Sequence, residues 1–345
     1  MIEIDGSYGE GGGQILRTAV ALAAYLETPC RIRNIRKGRP RPGLRPQHAA
    51  GVKALAALCH AEVSGLHVGS AEVTFKPGRI AGGNIRIDVG TAGAVGLILQ
   101  TIMLPAAKAL SPLLLTIRGG TDVPWAPAIG YCQEVTLPVL SQMGYSGEIV
   151  LTKRGYFPRG NGEVTVALKQ TKFSSVRFAE PGQIRMIQGR SHAADALKQR
   201  RVAERQQEGA MASLKKLGVP CEIAVEYGPT ASPGSGIDLW ALANHTPLGA
   251  NALGARDKRA EEVGEEAAAA LIRQLNSGAA LDEWMGDQIL PFLAAAGGKS
   301  SITVTRITDH LRTNLWVINH FLPIETQIKE EKTRAVVALK SSSMS

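Results

Sequence analysis

Cysteine is scarce in this sequence, with four residues among 345, and the four lie far apart. Because Cys30, Cys59, Cys132 and Cys221 form no Cys-x-x-Cys pair, the sequence predicts neither a disulfide framework nor a zinc site built from cysteine and histidine. We expect reduced and mostly buried thiols. Aromatic residues are also few, at 5%, which argues against an extended surface on which the bases of a nucleic acid stack.

Long hydrophobic runs are absent as well. No uninterrupted apolar stretch reaches the roughly 18 residues of a membrane-spanning helix. The first residues, MIEIDGSYGE, are acidic and polar, whereas a secretion signal begins basic and continues apolar. We therefore expect a cytoplasmic protein without a membrane partner. A hydrophobic content of 44% is enough for one large or two unequal domains.

Positive charge is concentrated in one segment. The formal net charge is +9, and the segment RIRNIRKGRPRPGLRPQH is interrupted by prolines and glycines that stiffen it. Guanidinium groups that are held in place can bind phosphate with two hydrogen bonds, which favours a polyanion-binding surface over a solvated loop. The basic side chains of this segment are Arg31, Arg33, Arg36, Lys37, Arg39, Arg41 and Arg45. We expect contact with the end of a polyanion, because stacking residues are few.

Hydrophobic periodicity reveals an internal repeat. Residues 2–5 and 31–35 read as strands, residues 13–26 and 47–60 as helices, and two further strands follow, which gives a βαβαββ unit. The same order returns from GNIRIDV to GEVTVALK. A third copy ends the chain, with SSVRF as the candidate for its first strand and DEWMGDQILPFLAAAG as its first helix.

The third unit is interrupted by an insertion. Residues 182–276 have a βαββα order of their own, which predicts a small inserted domain. The large domain would then comprise residues 1–181 and 277–340, and residues 341–345 would be a frayed tail.

A glycine-rich turn precedes the first helix. In GSYGEGGGQILR, Glu10 and three glycines stand where the free N–H groups of a helix can hold an anion. The alternative is an ordinary tight turn. A carboxylate beside bound phosphate is usually neutralised by a divalent metal ion, which makes Glu10 a candidate metal contact.

Two further segments carry candidate site residues. In TRITDHLRTN, Thr308 or Asp309 can cap a helix and leave His310 in its first turn, where the helix dipole favours a neutral, nucleophilic imidazole. A surface histidine without function is the alternative, and it is our interpretation of the histidines at 60, 67, 192, 245 and 320.

Trp284, Asp287 and Gln288 are spaced to project from one helix face toward a purine. The alternative there is a core tryptophan beside a solvated aspartate.

Six motifs occur in one order along the chain: GEGGGQILR, GRPRPGLRPQH, GGTDVPWAP, YFPRGNGE, DQILP and DHLRTNLWVINHFLP. Together they resemble the RNA 3′-terminal phosphate cyclase family over almost the whole chain. The resemblance implies an α/β fold in which a large domain of three βαβαββ repeats carries a small thioredoxin-like domain inserted in the third repeat. Because Glu10, Asp287, Gln288 and His310 are present, the sequence resembles the catalytically active branch.

The resemblance implies a reaction and assigns residues to it. His310 would attack the α-phosphate of ATP, the resulting AMP would pass to an RNA 3′-phosphate, and the 2′-hydroxyl would close a 2′,3′-cyclic phosphate and release AMP. Glu10 would contact the triphosphate and its Mg²⁺ or Mn²⁺ ion. The AMP pocket would comprise Gln100, Pro127, Trp284, Met285, Gly286, Asp287 and Gln288. The ATP phosphates or the RNA end would be bound by Arg17, Arg36, Arg39, Gln47 and His48.

Two other function classes stay open at this point. A catalytically silent relative would act in ribosome assembly with the same fold and basic surface. An enolpyruvyl transferase would share the repeated βαβαββ unit and the phosphate-binding arginines, without a histidine adenylate. Assembly into a homo-oligomer is also possible.

Overall fold

The computed structural model describes residues 1–341. Its first repeat begins with a parallel strand pair joined through a helix and ends in an antiparallel hairpin, which gives a sheet in the order β1-β2-β4-β3. The elements are β1 (Ile2–Asp5), α1 (Gly13–Tyr25), β2 (Cys30–Arg33), α2 (Pro46–Leu58), β3 (Glu62–Ser64) and β4 (Val73–Lys76). The predicted βαβαββ unit is confirmed here.

The second repeat has the same topology, with strand order β5-β6-β8-β7. Its elements are β5 (Gly83–Asp88), α3 (Val95–Ala106), β6 (Leu113–Gly119), α4 (Ile129–Tyr131), α5 (Leu137–Ser141), β7 (Gly147–Lys153) and β8 (Gly162–Leu168). A π-helical turn, Cys132–Thr136, joins α4 to α5. This turn directly precedes the first turn of α5, where Pro138 has no N–H to donate.

The inserted segment follows the short strand β9 (Arg177–Phe178). It contains β10 (Ile184–Ala194), α6 (Val202–Leu214), β11 (Cys221–Gly228), β12 (Ser235–Ala243), β13 (Leu248–Leu253) and α7 (Ala260–Asn276), with sheet order β11-β10-β12-β13. The order predicted from the sequence was βαββα, and the structure contains one strand more, β13. Gly249 and Asn251 are poor strand formers, and the strand exists because it pairs antiparallel with β12.

The third repeat closes the chain with the sheet order β15-β16-β14-β9, so SSVRF does supply a first strand. Its remaining elements are α8 (Glu283–Gln288), α9 (Leu290–Ala296), β14 (Gly298–Val304), α10 (Asp309–Phe321), β15 (Ile324–Glu330) and β16 (Ala335–Ser341). The single helix predicted between 282 and 297 is two helices, with Pro291 at the start of the second. Ser341 ends a strand and is not part of a frayed tail; the rest of that predicted tail, 342–345, lies outside the described residues.

One hydrophobic core unites the three repeats, and the inserted segment has a core of its own around Ile187, Leu214 and Leu271. Tyr131, Val135 and Trp240 form a small buried cluster between the two parts. The predicted α/β class is therefore confirmed, while the predicted domain boundaries stay a prediction.

Helix α1 packs against α10, which brings the glycine-rich turn to the start of α10. Within residues 1–341, no helix combines the length and the apolar character needed to cross a membrane.

Candidate active site

The starts of α1 and α10 are held side by side by side-chain hydrogen bonds. Gln14 Nε2 donates to the backbone carbonyl of His310 at 3.1 Å, and Thr18 Oγ1 donates to Asn314 Oδ1 at 2.7 Å. The second bond is buried. Two segments almost 300 residues apart in sequence therefore present their free N–H groups to one region.

Glu10 is the centre of this region. Its carboxylate contacts both the Arg39 guanidinium and Nε2 of His310. The turn that carries it needs glycine, because Gly11 has φ +57°. A side chain on Gly12 would start 3.3 Å from Arg39 Nη2. The fold thus joins three of the predicted site residues, Glu10, Arg39 and His310, in one cluster.

His310 lies in the first turn of α10, as predicted. The Thr308 side chain caps the helix by accepting from the Leu311 N–H at 2.9 Å. The His310 side chain is 46% exposed. Partial burial lowers its pKa below the ordinary value; the Glu10 carboxylate opposes this shift, whereas Arg17 and Arg39 add to it. The imidazole is therefore neutral near pH 7 and keeps a nitrogen lone pair.

His48 packs against the glycine-rich turn at the start of α1. It is buried, and its Nδ1 accepts from the Arg45 N–H at 3.2 Å. Burial, together with the neighbouring Arg17, Arg36 and Arg45, lowers its pKa to about 3, so the ring is neutral and offers no positive charge to a phosphate. A Cβ on Gly13 would lie 2.1 Å from His48 Nε2, which shows how closely the ring packs under α1.

The other predicted phosphate-binding residues have different surroundings. Burial lowers the pKa of Arg17 to about 10, so it is still charged at neutral pH. Arg36 donates from Nη1 to the carbonyls of Arg41 and Gly43 at 2.6 and 3.0 Å, and thereby holds the basic loop together. Gln47 is half-buried, with its Cβ against the backbone of Gly93 in the second repeat.

Asp287 is buried and is linked directly to the helix that carries His310. Its carboxylate accepts from the Thr308 hydroxyl, and its backbone carbonyl accepts from Asn314 Nδ2 at 2.7 Å. Burial raises the pKa of Asp287 to about 7, and nearby Glu283 and Asp282 act in the same direction. The alternative of a solvated aspartate is therefore wrong.

The neighbours of Asp287 do not share its surroundings. Trp284 packs edge-on against Tyr131, with ring centroids 6.2 Å apart, and Gln288 Oε1 accepts from Thr136 Oγ1 at 3.3 Å. Asp287 therefore faces α10, whereas Trp284 and Gln288 face the segment from Tyr131 to Thr136, because α8 lies between these two elements. Met285 is completely buried in the core.

The other three predicted pocket residues, Gly286, Pro127 and Gln100, lie in different surroundings. A Cβ on Gly286 would lie 2.7 Å from the Val304 side chain. The Pro127 carbonyl lies 2.4 Å from where a Cβ on Gly96 would be, so the Pro127 loop lies directly on α3. Gln100 projects from the same helix and is half-buried.

Asp282 was missed in the sequence. It is completely buried and caps α8 by accepting from the N–H groups of Trp284 and Met285 at 3.1 and 2.8 Å. It also accepts from the Tyr131 hydroxyl at 2.6 Å and from the Gly249 N–H at 3.0 Å. Burial raises its pKa to about 6. An aspartate directly before a predicted helix was the available signal.

The chain is similar to proteins of one family over most of its length. The model of a family described as RNA 3′-terminal phosphate cyclase matches residues 8–328. Proteins named RNA 3′-terminal phosphate cyclase from Methanopyrus kandleri and Pyrococcus furiosus are 46% and 48% identical to the chain, and each alignment covers 95% of both sequences. One of the same name from Archaeoglobus fulgidus is 47% identical over 93% of the chain and 96% of its own length. The chain therefore belongs to the RNA 3′-terminal phosphate cyclase family and not to the enolpyruvyl transferases.

Proposed function

We propose that this protein uses ATP to convert an RNA 3′-terminal phosphate into a 2′,3′-cyclic phosphodiester, with His310 as the covalent nucleophile. The observation that carries the proposal is the placement of a neutral His310 in the first turn of α10, in contact with Glu10 and close to Arg17 and Arg39. A neutral imidazole is nucleophilic, and the free N–H groups of a helix start favour a phosphate beside it.

The proposed reaction has three displacements at phosphorus. A ring nitrogen of His310 attacks the α-phosphate of ATP, the N–P bond forms, and the bond to the β-phosphate breaks to release pyrophosphate. An oxygen of the RNA 3′-phosphate then attacks the same phosphorus, and the N–P bond to His310 breaks. Finally the 2′-hydroxyl attacks the activated 3′-phosphate, loses its proton, and expels AMP.

The residues around His310 have roles that follow from their charges. Arg17 and Arg39 neutralise phosphate charge, and they also disfavour protonation of His310. Gly12, the N-cap of α1, has no side chain to occupy the first N–H groups of that helix, so these can bind phosphate oxygens. Asp287, at about its pKa near neutrality, can donate as well as accept a hydrogen bond toward an adenosine group.

A divalent ion fits this site. Mg²⁺ is commonly bound by one or two carboxylates together with the phosphates of a nucleotide, and Glu10 offers such a carboxylate beside the proposed triphosphate position. When bound, Mg²⁺ or Mn²⁺ would neutralise charge on the phosphates. Arg39 would then be free to contact phosphate.

The RNA end has a surface of matching charge next to Glu10. Arg39 belongs to the basic segment, and the bonds from Arg36 keep that segment folded toward the site. We propose that the partner is an RNA with a 3′-phosphate end. The expected setting is the cytoplasm, where free thiols such as the buried Cys30 and Cys59 stay reduced.

Covalent labelling tests the proposal. Purified protein is incubated with α-³²P-ATP and Mg²⁺ or Mn²⁺, and then separated under denaturing conditions. The wild type should carry an acid-labile, alkali-stable label, and His310→Ala should carry none. His320→Ala is the matched control, because His320 lies on the same helix and contacts Trp316.

A second assay follows the RNA. A 3′-phosphorylated oligonucleotide should become resistant to phosphatase in the presence of ATP and wild-type protein. If folded wild-type protein binds ATP but takes no label and leaves the RNA unchanged, the proposal is wrong and a catalytically silent assembly factor is the better description. Equal labelling of His310→Ala and the wild type would refute the nucleophile alone.

A further inference from the structure

A second cluster of titratable side chains lies away from Glu10, between the second repeat and the inserted segment. Asp122 follows β6, while His192 and Asp238 lie on β10 and β12. Their side chains are buried, with residue exposures of 2%, 1% and 3%. The interpretation of His192 as a surface histidine is therefore wrong. The fold brings it together with two carboxylates that are distant in the sequence.

In the described part of the chain, two buried polar atoms of the cluster, His192 Nε2 and Asp238 Oδ2, lack a hydrogen bond, although Asp238 Oδ2 lies 3.9 Å from Arg154 Nη1. His192 Nε2 lies 3.5 Å from Asp122 Oδ1 and 3.6 Å from Asp238 Oδ2, which is too far for good hydrogen bonds. Among residues 1–341, neither His192 Nε2 nor Asp238 Oδ2 has a hydrogen-bond partner. Buried polar atoms are rarely unpaired, since each costs about 1–3 kcal/mol.

Hydrogen bonds with neighbouring side chains fix the orientation of His192 and Asp122. The Tyr156 hydroxyl and His192 Nδ1 are hydrogen-bonded at 2.8 Å, and Thr121 Oγ1 donates to Asp122 Oδ2 at 2.7 Å. When Nδ1 carries the ring proton, Nε2 turns its lone pair toward the two carboxylates. Second-shell bonds of this kind hold metal-ligating histidines and carboxylates in place.

Charge favours a cation at this position. Arg154 Nη1 donates to Asp122 at 3.1 Å, and Nη2 donates to Glu226 at 3.1 Å. The two buried carboxylates, Asp122 and Asp238, share the guanidinium of Arg154, which lies 3.9 Å from Asp238 Oδ2, while Glu226 also has Arg190 Nε at 3.7 Å. Two buried carboxylates beside one shared cation favour a further cation next to them.

We propose that Asp122, His192 and Asp238 form a binding site for a divalent transition-metal ion, with Zn²⁺ as the best match. A tetrahedral ion with ligands at about 2.0–2.2 Å holds its ligand atoms about 3.3–3.6 Å apart, which agrees with the distances of 3.5 and 3.6 Å from His192 Nε2. An octahedral Mg²⁺ ion would need separations of about 3 Å and prefers oxygen ligands. The three ligand atoms lie within 4.8 Å of one another, and one coordination position remains for water.

A metal ion at this site would link the second repeat to the inserted segment. One ligand belongs to the second repeat and two belong to the inserted segment, so a bound ion fastens the two parts together. Gly130 allows the close packing, because a Cβ there would lie 2.3 Å from Asp238 Oδ2. Asp122 and Tyr156 belong to the GGTDVPWAP and YFPRGNGE motifs, to which the proposed reaction assigns no role except for Pro127.

Metal analysis tests the proposal. Full-length protein without a histidine tag is stripped with a chelator, incubated with ZnSO₄, separated from free ion, and analysed by plasma mass spectrometry in the absence of nucleotide. The wild type should retain about one zinc ion per chain. His192→Gln and Asp238→Asn should retain at least about tenfold less. Glu10→Gln and the exposed His67→Gln should retain as much as the wild type.

A spectroscopic measurement covers the case in which the variants do not fold. Chelator-treated wild-type protein is loaded with Co²⁺, which absorbs strongly in the visible range when four-coordinate and weakly when six-coordinate. The proposal predicts the strong spectrum and its displacement by Zn²⁺. Wild-type protein that retains no zinc, or retains as much as a folded His192→Gln variant, would overturn it, as would a zinc content that depends on Glu10.

Discussion

Replacing Asp287 with asparagine should change how the stability of the protein depends on pH. The Asp287 carboxylate is buried, and its pKa is raised to about 7 in the folded protein from an ordinary value of 3.8. The folded state therefore holds a proton that the unfolded state has already lost between these two values. Stability from this group is greatest at low pH and decreases as the pH rises from about 4 to 7.

The size of the effect follows from the two pKa values. The difference between them corresponds to roughly 4 kcal/mol once the pH exceeds both, and roughly 3 kcal/mol of it falls between pH 5 and pH 8. Asparagine has the same shape and can still accept from the Thr308 hydroxyl. It has no charge, so Asp287→Asn should remove this part of the pH dependence and be relatively more stable at pH 8 than at pH 5.

Urea unfolding at several pH values measures the effect. The free energy of unfolding of Asp287→Asn minus that of the wild type should rise by up to about 3 kcal/mol from pH 5 to pH 8. Asp309→Asn is the matched control, because Asp309 is an exposed carboxylate at the start of α10. If Asp287→Asn and the wild type lose stability in parallel as the pH rises, the buried carboxylate has no raised pKa and the reasoning is refuted.

Three further substitutions test the supports of the site. Gly13→Ala places a methyl group 2.1 Å from His48 Nε2 and should lower both the melting temperature and the labelling of His310. Asp282→Ala leaves a tyrosine hydroxyl and three backbone N–H groups unpaired, and should cost about 3 kcal/mol of unfolding free energy in a urea titration. Thr308→Val removes the cap of α10 and should cost about 1–2 kcal/mol by the same assay.

Each of these predictions has a result that would contradict it. Gly38→Ala is the control for Gly13→Ala, because a Cβ on Gly38 meets nothing within 4 Å; equal effects of the two changes would show that the His48 contact is unimportant. Asp282→Ala or Thr308→Val within about 0.5 kcal/mol of the wild type would mean that water replaces the lost partners.

The sequence was informative where structure is set locally. Each repeat has strands and helices whose hydrophobic period is clear, and the Thr308 cap is a local signal that predicts the start of α10. Elements that depend on a partner were missed. Strand β13 contains glycine and asparagine and is specified by pairing with β12. The break between α8 and α9 lies just before Pro291, and a proline is compatible with the start of a helix.

The site shows the same division. Sequence reasoning named Glu10, Arg39 and His310 separately, but their contact depends on the packing of α1 against α10. Asp287 contacts α10 and Trp284 contacts Tyr131, because α8 lies between these two parts of the structure. His192 could not be recognised at all, because its nearest carboxylates come from residues 70 positions earlier and 46 positions later in the sequence.

The cations around His310 have two effects that support each other. In the proposed reaction Arg17 and Arg39 would attract the phosphates of the nucleotide, and the same charges lower the pKa of His310 and keep a lone pair available. A bound triphosphate brings negative charge that would favour protonation of the histidine. Arg39 is paired with Glu10 and can transfer its contact to phosphate, so the incoming charge is balanced where it arrives. Under the proposed function, phosphate binding and preservation of the nucleophile therefore depend on the same two arginines.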